Sequence, residues 1–178
     1  MRKITNEELG RVTPQEFAGM NKMPVAVVLD NVRSMNNVGS FFRTCDAFAV
    51  EKLVLCGITG TPPAKEIHKT ALGAENTVPW EYFPDTLRAI ESMRAEGYMP
   101  VAIEQAEGAV TLDVFRPVEC QKYALVFGNE VDGVAQSAVD ACGSAIEIPQ
   151  AGTKHSLNVA VSGGAVLWQF FCFYNKLL

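Results

Sequence analysis

Two hydrophobic periods take turns along this chain. "PVAVVLD" (24–30) is a short continuous apolar run, the pattern of a strand covered on both faces. "NNVGSFFRTCDAF" (36–48) changes period. Val38, Phe41, Phe42 and Cys45 fall on one helical face, with Asn36 or Asn37 placed to cap it. "EKLVLCG" (51–57) predicts a second strand, "AKEIHKTALGA" a short helix, and "NTVPWEYF" a third strand interrupted by Pro79. "DTLRAIESMRAEG" (85–97) predicts an amphipathic helix that buries Leu87, Ile90 and Met93 and stops at Gly97. Then follow a strand in "YMPVAIE", a turn of helix in "TLDVF", a strand in "KYALVFG", a helix in "GVAQSAVDAC" and a strand in "SAIEIP". A last helix is expected over Ser156–Phe173, where Leu157, Ala160, Val161, Gly164, Ala165 and Trp168 recur at helical spacing. Residues 1–24 are polar, broken by Pro14 and Pro24, with room for a short helix near Glu7 or Glu16.

Strands alternating with helices predict an α/β fold: an open, mostly parallel sheet of about six strands with helices on both faces. The boundaries read as a short arm over 1–22 and one domain over 23–178. The final helix is apolar on nearly all sides, which predicts a subunit interface there, with Ser162, Gly163 and Gly164 admitting a close backbone.

Composition narrows the chemistry. With 178 residues, 48% of them hydrophobic, the chain can build a core unaided. A net charge of -5 argues against a non-specific coat on nucleic acid, while leaving room for a local basic cleft. Five cysteines form no CxxC, and only two histidines, His68 and His155, are present, so neither a disulfide scaffold nor a structural metal site is expected. Cys45 and Cys142 sit in apolar settings and read as core. The N-terminal "MRKITNEELG" has no apolar run behind it, and the longest apolar stretch is broken by Ser, Gly and Gln. No signal peptide or membrane span is expected, and a reducing, cytoplasmic compartment is.

Ligands of parallel sheets bind outside the carboxyl ends of the strands. Three such ends carry unusual residues. "DNVRSMNNVGSFFR" places Asn31, Arg33, Asn36, Asn37 and Arg43 beside Phe41 and Phe42. A helix cap accounts for part of this set, and phosphate binding by Arg33 and Arg43 is the alternative. An arginine close to the face that buries Phe42 and Cys45 needs a partner. "FGNEVDG" matches neither a Walker loop nor GxGxxG. Its glycines permit tight turns, and Glu130 suits the N-terminus of a helix. "PQAGTKHSLN" offers Thr153 or Ser156 as a cap. Asn158 is placed in the first turn, and His155 beside Ser156 makes no triad.

These segments resemble the three motifs of the SpoU, or TrmH-like, branch of the SPOUT RNA methyltransferases: "NNVGSFFRTCDAF", "ALVFGNEVDGV" and "IEIPQAGTKHSLNVAVSGG", in order, within a likeness that runs from about residue 22 to 173. The resemblance implies a sheet whose C-terminal part is tied in a deep trefoil knot, which no periodicity announces because knots are nearly absent among folds. It implies S-adenosylmethionine as cofactor, held by Phe127, Gly128, Asn129, Ile148, Gln150, Ser156, Leu157 and Asn158. It implies a homodimer built on the last helix and the first-motif region, and methyl transfer to a ribose 2'-hydroxyl of tRNA or rRNA, with no DNA target. Arg43 matches the family's catalytic arginine. Asn37, Glu130, Ser156 and Asn158 match its other motif residues, and Arg43 of one subunit would serve the cofactor of the other. Gln150 departs from the methionine frequent in the family, and Lys154 and His155 lie where members vary, placed for RNA phosphate beside Arg33 and Arg43. Many members carry a separate RNA-binding domain. Here about 24 residues precede the first strand, so recognition is expected to lean on this arm, the tail and the dimer cleft. A base-directed knotted methyltransferase and a catalytically silent RNA- or cofactor-binding protein are the competing expectations.

Overall fold

A computed structural model describes residues 1–5 and 7–177. Among these residues seven strands form one sheet: β1 (Met23–Asp30), β2 (Val50–Cys56), β3 (Trp80–Phe83), β4 (Tyr98–Ile103), β5 (Val110–Thr111), β6 (Lys122–Phe127) and β7 (Ala145–Glu147). Every pairing is parallel, and the order is β3-β2-β1-β6-β4-β7-β5. Six helices join them: α1 (Pro14–Gly19), α2 (Met35–Ala47), α3 (Lys65–Ala71), α4 (Thr86–Ala95), α5 (Gln136–Cys142) and α6 (Val159–Tyr174).

The strand alternation explains the two layers. Val25, Val27 and Leu29 of β1 share one core with Phe41, Phe42 and Cys45 of α2, Ile67 of α3, and Val166, Leu167 and Phe170 of α6. Ala26 and Val28 turn to the opposite face, against Ala89, Ile90 and Met93 of α4 and Ala138 and Cys142 of α5. Helices therefore cover both faces, and β1, β6 and β4 run as central strands with almost no solvent-exposed residue.

Several expectations shift. The sheet has seven strands, because Val110 and Thr111 pair with Ile146 and Glu147 where a turn of helix is predicted. Two residues are too short to show a period. The turn follows at once, with Val114 and Phe115 donating to the Thr111 carbonyl. α2 begins at Met35 because the Ser34 hydroxyl, not Asn36 or Asn37, accepts from the Asn37 amide. α6 begins at Val159 rather than Ser156, because its cap is Asn158 rather than Thr153 or Ser156. α5 is shorter than expected and starts at Gln136. β3 starts just after Pro79, whose carbonyl still accepts from Leu53. Glu16, not Glu7, lies in the arm's helix, where it forms a capping box with Thr13.

α2 and α6 touch closely. A Cβ placed on Gly163 would lie 2.3 Å from Cε1 of Phe41, a fully buried ring. Gly163→Ala is expected to destabilise the fold by about 1–3 kcal/mol through overpacking. Thermal melts check this, since a chain of this size shifts by about 2–4 °C per kcal/mol. Gly19→Ala, where an added Cβ meets nothing within 4 Å and no positive φ is required, serves as the neutral control.

Candidate active site

The carboxyl ends of β6, β4 and β7 are neighbours in the sheet, and a cleft of about 490 Å³ opens above them. Its walls come from Ile103–Gln105 after β4, Phe127–Gly133 after β6, Ile148 and Gln150 after β7, and His155–Val159 with Ser162 at the start of α6. All eight residues expected to hold a cofactor line it: Phe127, Gly128, Asn129, Ile148, Gln150, Ser156, Leu157 and Asn158.

The wall after β6 is a tight hairpin. Asn129 N donates to Gly133 O at 3.0 Å and Gly133 N donates to Asn129 O at 3.2 Å. The Asn129 side-chain oxygen accepts from the Val131 and Asp132 amides, both at 2.9 Å. Closure this tight leaves no room at Gly128, where a Cβ would sit 1.9 Å from the Gly133 carbonyl carbon. Gly133 has φ +69° and is thus in the region that favours glycine.

Glu130 projects from this hairpin to the first motif. Its carboxylate accepts from the amides of Arg33 and Ser34, both at 3.0 Å, and from Asn37 Nδ2 at 2.7 Å. It thus caps α2 from outside the helix, as expected for an acid at a helix N-terminus. Partial burial pushes its pKa up. The donations from Arg33, Asn37 and Ser34 outweigh that and hold it below the ordinary carboxylate value. Asn37 Oδ1 in turn accepts from Asn158 Nδ2 at 3.2 Å, and Asn158 Oδ1 accepts from the Ala160 and Val161 amides at 2.9 and 3.3 Å. One chain of hydrogen bonds, Glu130–Asn37–Asn158, therefore joins the three sequence motifs and ties the N-terminus of α2 to that of α6.

Other expected residues stand apart from this chain. Ser156 and His155 line the cleft on its exposed rim, whereas Lys154 is exposed outside the lining. Arg33 is exposed too, and its guanidinium lies 3.6 Å from Asp132. Arg43 corrects one expectation: it is solvent-exposed rather than held beside the core face. It does not line this chain's cleft, and the expectation was that it serve the partner's. It lies six residues past Asn37, so it is about 9 Å further along α2 and about 120° round its axis. Cys45 and Cys142 are buried in the two cores, and burial pushes the Cys142 thiol up to about 12. Three contributors escaped the sequence reading: Glu104, Gln105 and Asp30. Their signal was position, since each ends or follows an apolar strand.

A model of the SpoU rRNA Methylase family matches residues 24–168. The chain belongs to that family. It is 30% identical over 170 residues to the tRNA (guanosine(18)-2'-O)-methyltransferase of Thermus thermophilus, covering 95% of this chain and 84% of that protein. Over 154 residues it is 29% identical to the 23S rRNA (guanosine-2'-O-)-methyltransferase RlmB of Vibrio cholerae, covering 86% of this chain and 61% of the relative. Among solved structures, the TrmH/SpoU tRNA modifying enzyme of A. aeolicus superposes with TM-score 0.80 at 25% identity, over 92% of this chain and 82% of that one. The AdoMet-bound rRNA methyltransferase from Sinorhizobium meliloti gives 0.77 at 28% identity, over 89% and 61%. The chain thus spans about three-fifths of the length of the rRNA-directed relatives it matches. Like the family's solved members, it is an α/β protein built on a parallel sheet. No helix among its described residues is long and apolar enough to cross a membrane.

Proposed function

We propose that this chain transfers the methyl group of S-adenosylmethionine to a ribose 2'-hydroxyl of structured RNA, tRNA or rRNA, acting as a homodimer in the cytoplasm. The observation that carries this reading is the hydrogen-bonded chain Glu130–Asn37–Asn158, which draws all three family motifs to one lip of the cleft. The cleft suits the cofactor in size and chemistry. About 490 Å³ lies within the range of small-ligand sites, and Ile103, Phe127, Ile148 and Leu157 offer apolar walls for an adenosyl group. The carboxylates of Glu104, Glu130 and Asp132 favour a cationic ligand there. When bound, the cofactor supplies an electrophilic methyl group on a positively charged sulfur.

The protein's part is alignment and charge. Ser156 and Asn158 stand at the rim where an RNA ribose would enter. Arg43, brought by the partner subunit, orients the 2'-hydroxyl and a neighbouring phosphate and stabilises the negative charge that develops on oxygen. The hydroxyl proton leaves as its oxygen takes the methyl group, and the adjacent RNA phosphate is a fit acceptor, since a free guanidinium holds its own proton far above neutral pH. Arg33 and Lys154, exposed outside the cleft, and His155 on its rim are available for phosphate contact, and the arm over 1–22 adds further surface for RNA.

The subunit contact is read from α6 and α2. Val161, Ala165 and Trp168 form an exposed stripe on α6, and Trp168 packs on Phe48, just past α2, with ring centroids 5.9 Å apart. The stripe therefore reaches the C-terminal end of α2, the helix that carries Arg43. The family likeness is the ground for a trefoil knot, which would pass the terminal segment by residues 104–121, and three contacts join these two segments. Gln105 Nε2 donates to His155 O, Gln169 Nε2 to Leu112 O, and Tyr174 OH to Gln121 O.

Incubation with methyl-labelled cofactor and unmodified tRNA or rRNA, followed by nucleoside analysis, tests the function. Label on a ribose is expected. Label on a base, or cofactor binding without transfer to any RNA, overturns the proposal.

A further inference from the structure

The cleft has a fourth wall that none of the three motifs contains: the pair Glu104–Gln105, directly after β4. Glu104 Oε2 accepts from the Val134 amide at 2.9 Å, while Oε1 accepts from the Gln105 amide at 2.8 Å. The side chain thus holds the end of the Asn129–Gly133 hairpin against the end of its own strand. The approach is so close that a Cβ on Gly133 would lie 2.2 Å from Glu104 Oε2. The next amide, Ala135 N, is held in the same manner by the buried carboxylate of Asp30 at 2.9 Å. Gln105 reaches the other way: its Nε2 donates to the His155 carbonyl at 2.8 Å, in the loop that leads to Ser156 and Asn158. Two successive side chains therefore grip opposite walls of one cleft, and both line it.

We propose that Glu104 and Gln105 are positioning residues that set the width of the cofactor cleft, so that cofactor affinity depends on both grips. This rests on reading the cleft as the cofactor site. The chemistry of each grip is restrictive. A carboxylate has an acceptor oxygen for each of the two amides, whereas a glutamine offers one oxygen and turns N–H groups toward the other amide. Glu104→Gln therefore keeps the shape and loses one of the two holds, on Val134 N or on Gln105 N. Gln105→Leu keeps the bulk of an exposed side chain and loses the hold on the His155 loop.

The unaltered chain and both variants are titrated with S-adenosylhomocysteine by calorimetry, and steady-state rates are measured against cofactor and RNA separately. Each variant is expected to raise Kd and the cofactor KM about tenfold. The RNA KM and kcat at saturating cofactor should stay within about twofold, as for a positioning role. Unchanged cofactor affinity in both variants overturns the proposal, as does a fall in kcat with the cofactor KM unaltered. If Glu104→Gln fails to fold, Gln105→Leu decides alone. If the unaltered protein does not bind S-adenosylhomocysteine, the cofactor reading falls. Hydrogen exchange then judges the grips themselves: faster exchange at Val134 or Gln105 in Glu104→Gln and over 154–157 in Gln105→Leu is expected, and unchanged exchange at all of these overturns them.

Discussion

Arg43→Ala is expected to lower methyl transfer by about 10²- to 10³-fold, the usual cost of removing a group that stabilises developing charge, while S-adenosylhomocysteine binds as before. The split follows from position. Arg43 is exposed on α2 and outside its own cleft, so the cleft does not depend on it. Arg43→Lys keeps the charge but loses the planar fork, and transfer is expected to remain well below normal. A mixing experiment asks which subunit's arginine acts. Gly128→Ala spoils the cleft while sparing Arg43, because the new Cβ would lie 1.9 Å from the Gly133 carbonyl carbon and 2.0 Å from Val134 N. Each variant alone should be nearly inactive. Exchanged in equal amounts, half of the dimers become mixed, and each holds one site with an intact cleft and an intact facing arginine. About one quarter of normal activity should therefore return. Mixtures that stay inactive would place Arg43 in its own subunit's site and sink the two-fold arrangement.

How far the sequence reaches shows in particular residues. β1, β2, β4 and β6 were legible because a buried parallel strand is a short apolar run bounded by polar residues, and "PVAVVLD" or "KYALVFG" admits no other role. β5 was not legible, since its two residues are defined by pairing with Ile146 and Glu147 rather than by any period of their own. The starts of α2 and α6 moved because several capping residues stood in a row, and only the tertiary structure chooses Ser34 and Asn158 among them. The same limit applies to the cleft. Motif residues at strand ends could be named, but the bond from Asn158 to Asn37 spans 121 positions and no local pattern contains it. Arg43 was expected near the core because Phe42 precedes it, yet adjacent helical positions face about 100° apart and need not share an environment. Glu104 and Gln105 obey the strand-end rule that singled out the three motifs. One acid and one amide after a strand look like ordinary solvated residues until their partners are seen.

Ala165→Glu is expected to convert the protein to a monomer and to reduce transfer as severely as Arg43→Ala does. Ala165 is exposed on α6 between Val161 and Trp168, themselves exposed by 57% and 52%, and the neighbouring Gly164 leaves open space for an approaching backbone. In a two-fold contact the same patch meets itself, so one added carboxylate enters the interface from both sides and is desolvated beside its own copy. The isolated subunit should tolerate the change. Glutamate is a good helix former, and the residue buries nothing in the core. Val161→Glu offers an independent version, because an acid in the first turn of α6 also complements the helix dipole. Sedimentation should give folded monomers at micromolar concentration for both, with melting no longer dependent on concentration and lower only by the stabilisation that association supplied. The decisive measurement is the double variant. If Ala165→Glu acts only by withdrawing the partner's arginine, combining it with Arg43→Ala costs nothing beyond either change alone, a coupling equal to the whole single effect. Additive losses would mean that the dimer serves some purpose other than carrying Arg43 across, and a fully active monomer would remove the need for the second subunit altogether.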